Sequence, residues 1–158
     1  KLAVVNDEAI NENGDEDLNV VAMVDLRDES RPRVIAVFPQ PVPPPETGLK
    51  NFFVKGGRFG PHNQHHWNHQ ACLENREDVV YLTYFNAGLR AYDIRDERTP
   101  KEIAYFIPPD PKQRIGTKPV NRLVAQVEDV IVDRRGFIYI SEKNQGIFIL
   151  RLKKIWPY

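Results

Sequence analysis

Short runs of alternating apolar and polar residues, separated by clusters of Gly, Asn, Asp and Pro, set the pattern of this chain. Such runs suit strands whose alternate side chains face a core, and the clusters suit the turns between them. Strands are predicted around 2–6, 20–26 and 33–38, then around 66–73, 79–84, 88–94 and 102–107, and finally around 127–132, 136–141 and 146–152. Phe85-Asn86-Ala87-Gly88 and Lys143-Asn144-Gln145-Gly146 carry residues that tolerate positive φ, and they predict hairpins. In Arg95-Asp96-Glu97-Arg98-Thr99-Pro100 the acidic side chains accept bonds from nearby amides, and the proline stops the preceding strand.

The pattern repeats. Ala91-Tyr92-Asp93-Ile94-Arg95-Asp96-Glu97 matches the stretch from Ala22 to Glu29 at a constant offset of 68 from the aspartate on, carrying Asp25 onto Asp93, Pro32 onto Pro100 and Phe38 onto Phe106. A second match sets Tyr81–Tyr92 beside Tyr139–Leu150 at an offset of 58, pairing Asn86 with Asn144 and Gly88 with Gly146. Each unit reads as an antiparallel meander, which cannot cover both of its faces alone and is covered by copies of itself. The expectation is one all-β domain over 1–158: an incomplete blade at 2–40, a Pro/Gly-rich connection at 41–61, a complete blade at 62–108, a connection at 109–126 and an incomplete blade at 127–158. Units this few do not close a ring, so the remaining blades are expected from further upstream sequence or from other copies of the chain. The two connections, one with Pro41-Val42-Pro43-Pro44-Pro45 and one with Pro108, Pro109, Pro111 and Pro119, have the length and stiffness of functional or partner-binding loops.

Composition narrows the function classes. Lys plus Arg number 22 and Asp plus Glu number 22, which gives no basic field for nucleic acid. No run of ~18 apolar residues is present to span a membrane as a helix. The lone Cys72 excludes an intrachain disulfide and reads as a buried strand thiol.

Three stretches carry a family likeness: Phe59-Gly60-Pro61-His62-Asn63-Gln64-His65, the run from Tyr84 to Ile94, and Ala104-Tyr105-Phe106-Ile107-Pro108-Pro109. Together they resemble the C-terminal half of bacterial LVIVD-repeat proteins, and Asn6-Asp7-Glu8 stands where those commonly read Thr-Asp-Glu. The resemblance implies a β-propeller of about seven blades, in proteins often exported to the periplasm or the cell exterior, and implies no activity. This chain departs from the family at His66, where relatives often have Glu. A more distant likeness, resting on a Gly-Pro-His start to a blade, is to the selenium-binding or methanethiol oxidase propellers, whose histidines hold copper near the channel.

All four histidines, His62, His65, His66 and His69, fall within eight residues. If Pro61 begins an innermost strand, they approach the channel, where Glu128-Asp129 holds the corresponding place in the third repeat and Glu8 and Glu142 end comparable strands. His62, His65 and His69 with Glu8, Glu128 and Glu142 would form a mixed histidine and carboxylate site, suited to iron, manganese or zinc, with copper the choice of the distant likeness. The alternatives are a metal-free ligand site that adds Arg58, Asn63, His66, Trp67 and Asp129, and a hydrated channel in which these groups bond only the backbone. Two functions remain open: a scaffold whose loops bind a protein partner, and a metal-dependent oxidoreductase or hydrolase. The acidic loop from Asp7 to Asp17 offers oxygen donors without an EF-hand order, and it reads as a solvated hairpin loop.

Overall fold

A computed structural model of the chain describes residues 1–153; the last five residues of the blade expected at 127–158 lie outside them. It holds three antiparallel sheets in chain order, each a three-stranded meander. Sheet one is β1 (Leu2–Asn6), β2 (Val21–Asp25) and β3 (Arg33–Val37); sheet two is β4 (Val79–Thr83), β5 (Leu89–Asp93) and β6 (Lys101–Phe106); sheet three is β7 (Val127–Val132), β8 (Phe137–Glu142) and β9 (Gly146–Arg151). The only helical turns among the described residues are two short 3-10 segments, Pro45–Thr47 and Phe53–Lys55, both in the first Pro/Gly-rich connection.

The repeats survive into three dimensions. β2 pairs β3 and β5 pairs β6 with a register shift at equivalent places, Met23/Val24 and Ala91/Tyr92. The hairpin before β5 turns through Gly88 at φ +80°, where an added Cβ would run into the Phe106 carbonyl and stand 2.9 Å from Ile107 Cα. Only glycine fits both demands.

One prediction fails at 66–73, which forms no strand. The extended stretch is shorter and lies earlier, at residues 62–65, where His62 N and His65 N donate to the carbonyls of Thr83 (2.9 Å) and Tyr81 (3.0 Å), and Thr83 N donates to Asn63 O (2.8 Å). This stretch runs antiparallel beside β4. The chain then turns, with Asn68 at φ +51° and His69 at φ +54°. His66-Trp67-Asn68-His69-Gln70 has no alternating apolar face to bury, so nothing rewards its extension. Cys72 is accordingly exposed in a turn rather than buried in a strand.

Sheets stack face to face through two cores. Val21, Met23 and Phe38 of sheet one meet Leu82, Tyr84 and Tyr92 of sheet two, together with Phe52 and Phe59 from the connection. On its other face sheet two presents Val79, Tyr81, Leu89 and Ala91 to Val127, Val130, Val132, Ile138 and Ile140 of sheet three. Each such side chain, withdrawn from water, contributes roughly 1.5–3 kcal/mol. Burial pushes the Tyr84 phenol up to about 12 and Tyr92 further in the same direction, so both stay neutral at physiological pH. Within the first core region lies Arg90, fully buried, whose Nε and Nη2 donate to Ala87 O (3.1 and 2.8 Å) and whose Nη1 donates to Glu102 (3.1 Å). Its guanidinium spans the Phe52 and Tyr105 rings at 5.2 and 5.1 Å, which compensates for desolvation.

Candidate functional site

The 62–65 stretch runs between neighbouring sheets, and its histidines are tied to the backbone on both sides. His65 Nδ1 accepts from Val132 N (3.1 Å), so the ring carries its proton on Nε2, which donates to Glu74 O (2.9 Å). With both nitrogens engaged, His65 holds sheet three to sheet two and has no lone pair left for a metal. Burial also pushes the neighbouring Glu74 carboxyl and Tyr81 phenol up. His62 Nδ1 donates to Glu128 O (2.6 Å), leaving Nε2 facing two carboxylates, Glu8 at 3.5 Å and Glu128 at 4.0 Å.

Around that imidazole a charged cluster joins all three sheets. Arg58, at the end of the Gly56-Gly57 turn, lies over the Phe85 ring with its guanidinium carbon 3.8 Å from the centroid, and His62 packs against the same ring at 4.7 Å. Arg58 Nη1 donates to Glu8 (3.2 Å), from the connection after β1, and to Ala9 O (3.2 Å); Nη2 donates to Glu128 (3.1 Å) on β7. Lys143, from the β8–β9 turn, donates to the same Glu128 oxygen at 2.6 Å. The backbone of this arginine is fixed as well, its amide donating to Gln126 Oε1 at 2.8 Å. Gly57, at φ +69°, permits that approach, since a Cβ there would stand 3.0 Å from Gln126 Oε1.

The predicted site residues therefore separate. Glu8, Arg58, His62 and Glu128 come together; Asn63 donates to Asp129 beside them. Glu142 belongs elsewhere: it is 3% exposed and accepts from Gln126 N (2.8 Å) and Asn144 N (2.9 Å), bracing the β8–β9 turn. His69 leaves the cluster with the turn at 68–69 and packs on Trp67 at 4.7 Å, and His66 and Trp67 are exposed. The six-residue metal set expected from sequence is thus not assembled, and among the described residues no three His, Cys, Asp or Glu side chains converge to hold a metal. The reason is electrostatic as well as geometric. Arg58 and Lys143 already supply the two positive charges that Glu8 and Glu128 require, so a metal ion would meet cations rather than free carboxylates.

Sequence reasoning missed Lys143, Phe85 and Gln126. Lys143 and Phe85 each begin one of the two matching hairpin turns, so the repeat itself brought them to the same end of adjacent sheets. Gln126 carried no such signal.

Three long connections converge at that end. Glu12 accepts from Val120 N (2.7 Å) and Asn121 N (2.9 Å), and Asn121 accepts in turn from Gly57 N at 3.0 Å. In the acidic loop, Glu16 accepts from Ile10 N (2.9 Å) and Asp7 from Val20 N (3.1 Å), so its carboxylates brace amides. Lys55, 8% exposed, donates to Asn86 O (3.0 Å) and pairs with Asp110 (3.2 Å), linking the two proline-rich connections. The loops are thus rigidly mutually supported, yet Ile10, Leu18, Val42, Val54, Ile115 and Val120 on them stay exposed, between 55% and 78%. Comparisons with protein-family models, with curated proteins and with solved structures find no match to this chain.

Proposed function

We propose that this chain is a stretch of β-propeller of the LVIVD-repeat kind that serves as a binding scaffold, engaging a protein partner through the end where its three long connections meet. The observation that carries the reading is the set of exposed apolar side chains on loops that are otherwise pinned by hydrogen bonds. A preformed surface with apolar groups loses little conformational freedom on binding, and scaffolds place recognition on loops of this kind. The charged cluster around Arg58 then serves to fix the loop-bearing ends of the three sheets relative to one another. Further blades come from additional repeats or further copies, and a periplasmic or extracellular location is favoured by the family likeness alone.

The test compares specific capture of protein from a native extract by the chain and by a variant carrying Val42→Asp, Ile115→Asp and Val120→Asp, at side chains 74%, 78% and 66% exposed. Capture is expected to be lost in the variant while its thermal unfolding is unchanged. Equal recovery by both forms, or no specific recovery by either, defeats the scaffold. Stoichiometric iron, manganese, zinc or copper in the purified chain, lost on His62→Ala, would instead support the metal-dependent enzyme.

A further inference from the structure

A pocket of about 270 Å³ lies between the two proline-rich connections, beside sheet two. Its wall is apolar: Leu49 and Phe52 come from the first connection, Ile107 and Pro108 from the second. Asn86, in the turn between β4 and β5, holds the first connection in place, since its Nδ2 donates to Phe52 O (2.9 Å) and Gly56 O (2.8 Å). Sheet two already has a neighbour on each face, so neither end of the stack forms part of this pocket.

Three charged side chains complete the lining: Lys55, Asp110 and Arg122. Lys55 and Asp110 balance each other at 3.2 Å, and the backbone holds both, Lys55 Nζ donating to Asn86 O (3.0 Å) and Asp110 accepting from Ala125 N (3.0 Å). Arg122 is the unbalanced charge, because its guanidinium meets no carboxylate among the described residues. Its stem lies on the Gly56 backbone, where an added Cβ would stand 2.9 Å from Arg122 Cβ and 3.1 Å from Cδ. Two cations and one anion leave the lining with a single net positive charge over an apolar wall. We propose that this pocket binds a small organic acid, with its carboxylate on Arg122 and its aliphatic or aromatic body against Leu49, Phe52, Ile107 and Pro108. A guanidinium fork takes both oxygens of a carboxylate at once, and Lys55 keeps a third ammonium proton beyond its two bonds. A cavity of about 150 Å³ holds benzene, so this one suits a single ring with a short acid chain, or an aliphatic acid of similar bulk. An apolar wall with a few fixed polar groups is the usual composition of a small-molecule site. The pocket uses none of the exposed side chains proposed to meet a protein partner.

Titration of the isotope-labelled chain with phenylpropionate, followed by amide shifts in two-dimensional NMR, tests it, with phenylpropionamide as the neutral match and phenylpropylamine as the cationic one. The acid is expected to give saturable shifts at Leu49, Phe52, Lys55 and Ile107, and the amide and the amine to bind at least about tenfold more weakly. Arg122→Gln, at an exposed position whose loss leaves the fold intact by circular dichroism, is expected to weaken the acid about tenfold and to leave the amide unchanged. Leu49→Trp, which fills the pocket, is expected to abolish binding of the acid in a chain that still folds. Absence of saturable shifts with the acid, equal binding of acid and amide, or undiminished binding of the acid by folded Arg122→Gln or Leu49→Trp overturns the proposal. Loss of partner capture by the loop variant leaves this result untouched, so the two readings fail separately.

Discussion

Arg58 ties the three sheets together because its two terminal nitrogens donate to groups from different parts of the chain. Two carboxylates from different sheets and a backbone carbonyl take the donors, and the Phe85 ring takes the face of the guanidinium. The partners are unequal. Glu128 is 19% exposed and also holds Lys143, while Glu8 is 45% exposed. An ion pair in water contributes ~0–1 kcal/mol, whereas a charge-assisted bond in a shielded place contributes about 1.5–3 kcal/mol. Arg58→Met, which keeps the apolar stem over Phe85, is therefore expected to lower stability by about 1–3 kcal/mol, a fall in melting temperature of ~2–4 °C for each kcal/mol. Glu8→Gln should lower it by no more than about 1 kcal/mol. Calorimetric unfolding of both variants checks this, and equal effects would mean that the cluster is a set of surface contacts rather than a joint between sheets. Part of this site was readable in advance: Arg58, His62, Glu8 and Glu128 belong to a segment singled out by its histidines and to strand ends placed by the repeat. The pairing of Glu128 with Lys143 was not readable, because it depends on which side chain of a turn points back across the sheet.

At the scale of elements, an Asp-x-Arg turn closes a strand three times, at the equivalent strands β2 and β5 and again after β7. Asp25 with Arg27, Asp93 with Arg95, and Asp133 with Arg135 each accept the arginine's backbone N–H and its guanidinium together. The arginine beside it holds each carboxyl down, Asp25 well below the usual carboxylate range and Asp93 and Asp133 to about 2, from an ordinary value of 3.8. A carboxyl depressed in the folded chain makes the unfolded chain the better proton binder between those values, so stability rises with pH through that window. The turns' contribution is whole above about pH 4 and is lost as pH falls toward about 2. Asp93→Asn should flatten that part of the acid-unfolding curve by about one proton's worth, with little change in slope above pH 5. An unchanged slope would show the turn to be solvated in solution. These turns and their hairpin counterparts are why the strands were legible from sequence: their residues state both a backbone conformation and a hydrogen-bond partner. The stretch at 66–73 was misread because histidine, asparagine and tryptophan state neither, and only the contact with β4 decides where extension stops.

The molecule as a whole is layered, and its layers are not equivalent. Sheet two is covered on both faces, by sheet one and by sheet three, and it contains the fully buried Leu82, Tyr84, Tyr92 and Arg90. The outer sheets each share only one core, and β9 pairs with β8 along one edge while its other edge has no strand partner among the described residues. Opening β4 or β5 therefore disrupts both cores at once, whereas opening β9 exposes side chains such as Ile147 and Ile149 that already face water. Amide exchange follows the free energy of the opening that frees each N–H, and so tracks how much packing that opening destroys. Native-state hydrogen exchange on dilute protein is thus expected to be slowest in β4 and β5, near the global unfolding limit, and faster by orders of magnitude in β9 and β3. If β9 is as protected as β5 in dilute solution, its sheet is closed by something other than a neighbour of its own kind, and the layered account of this chain's stability fails with it.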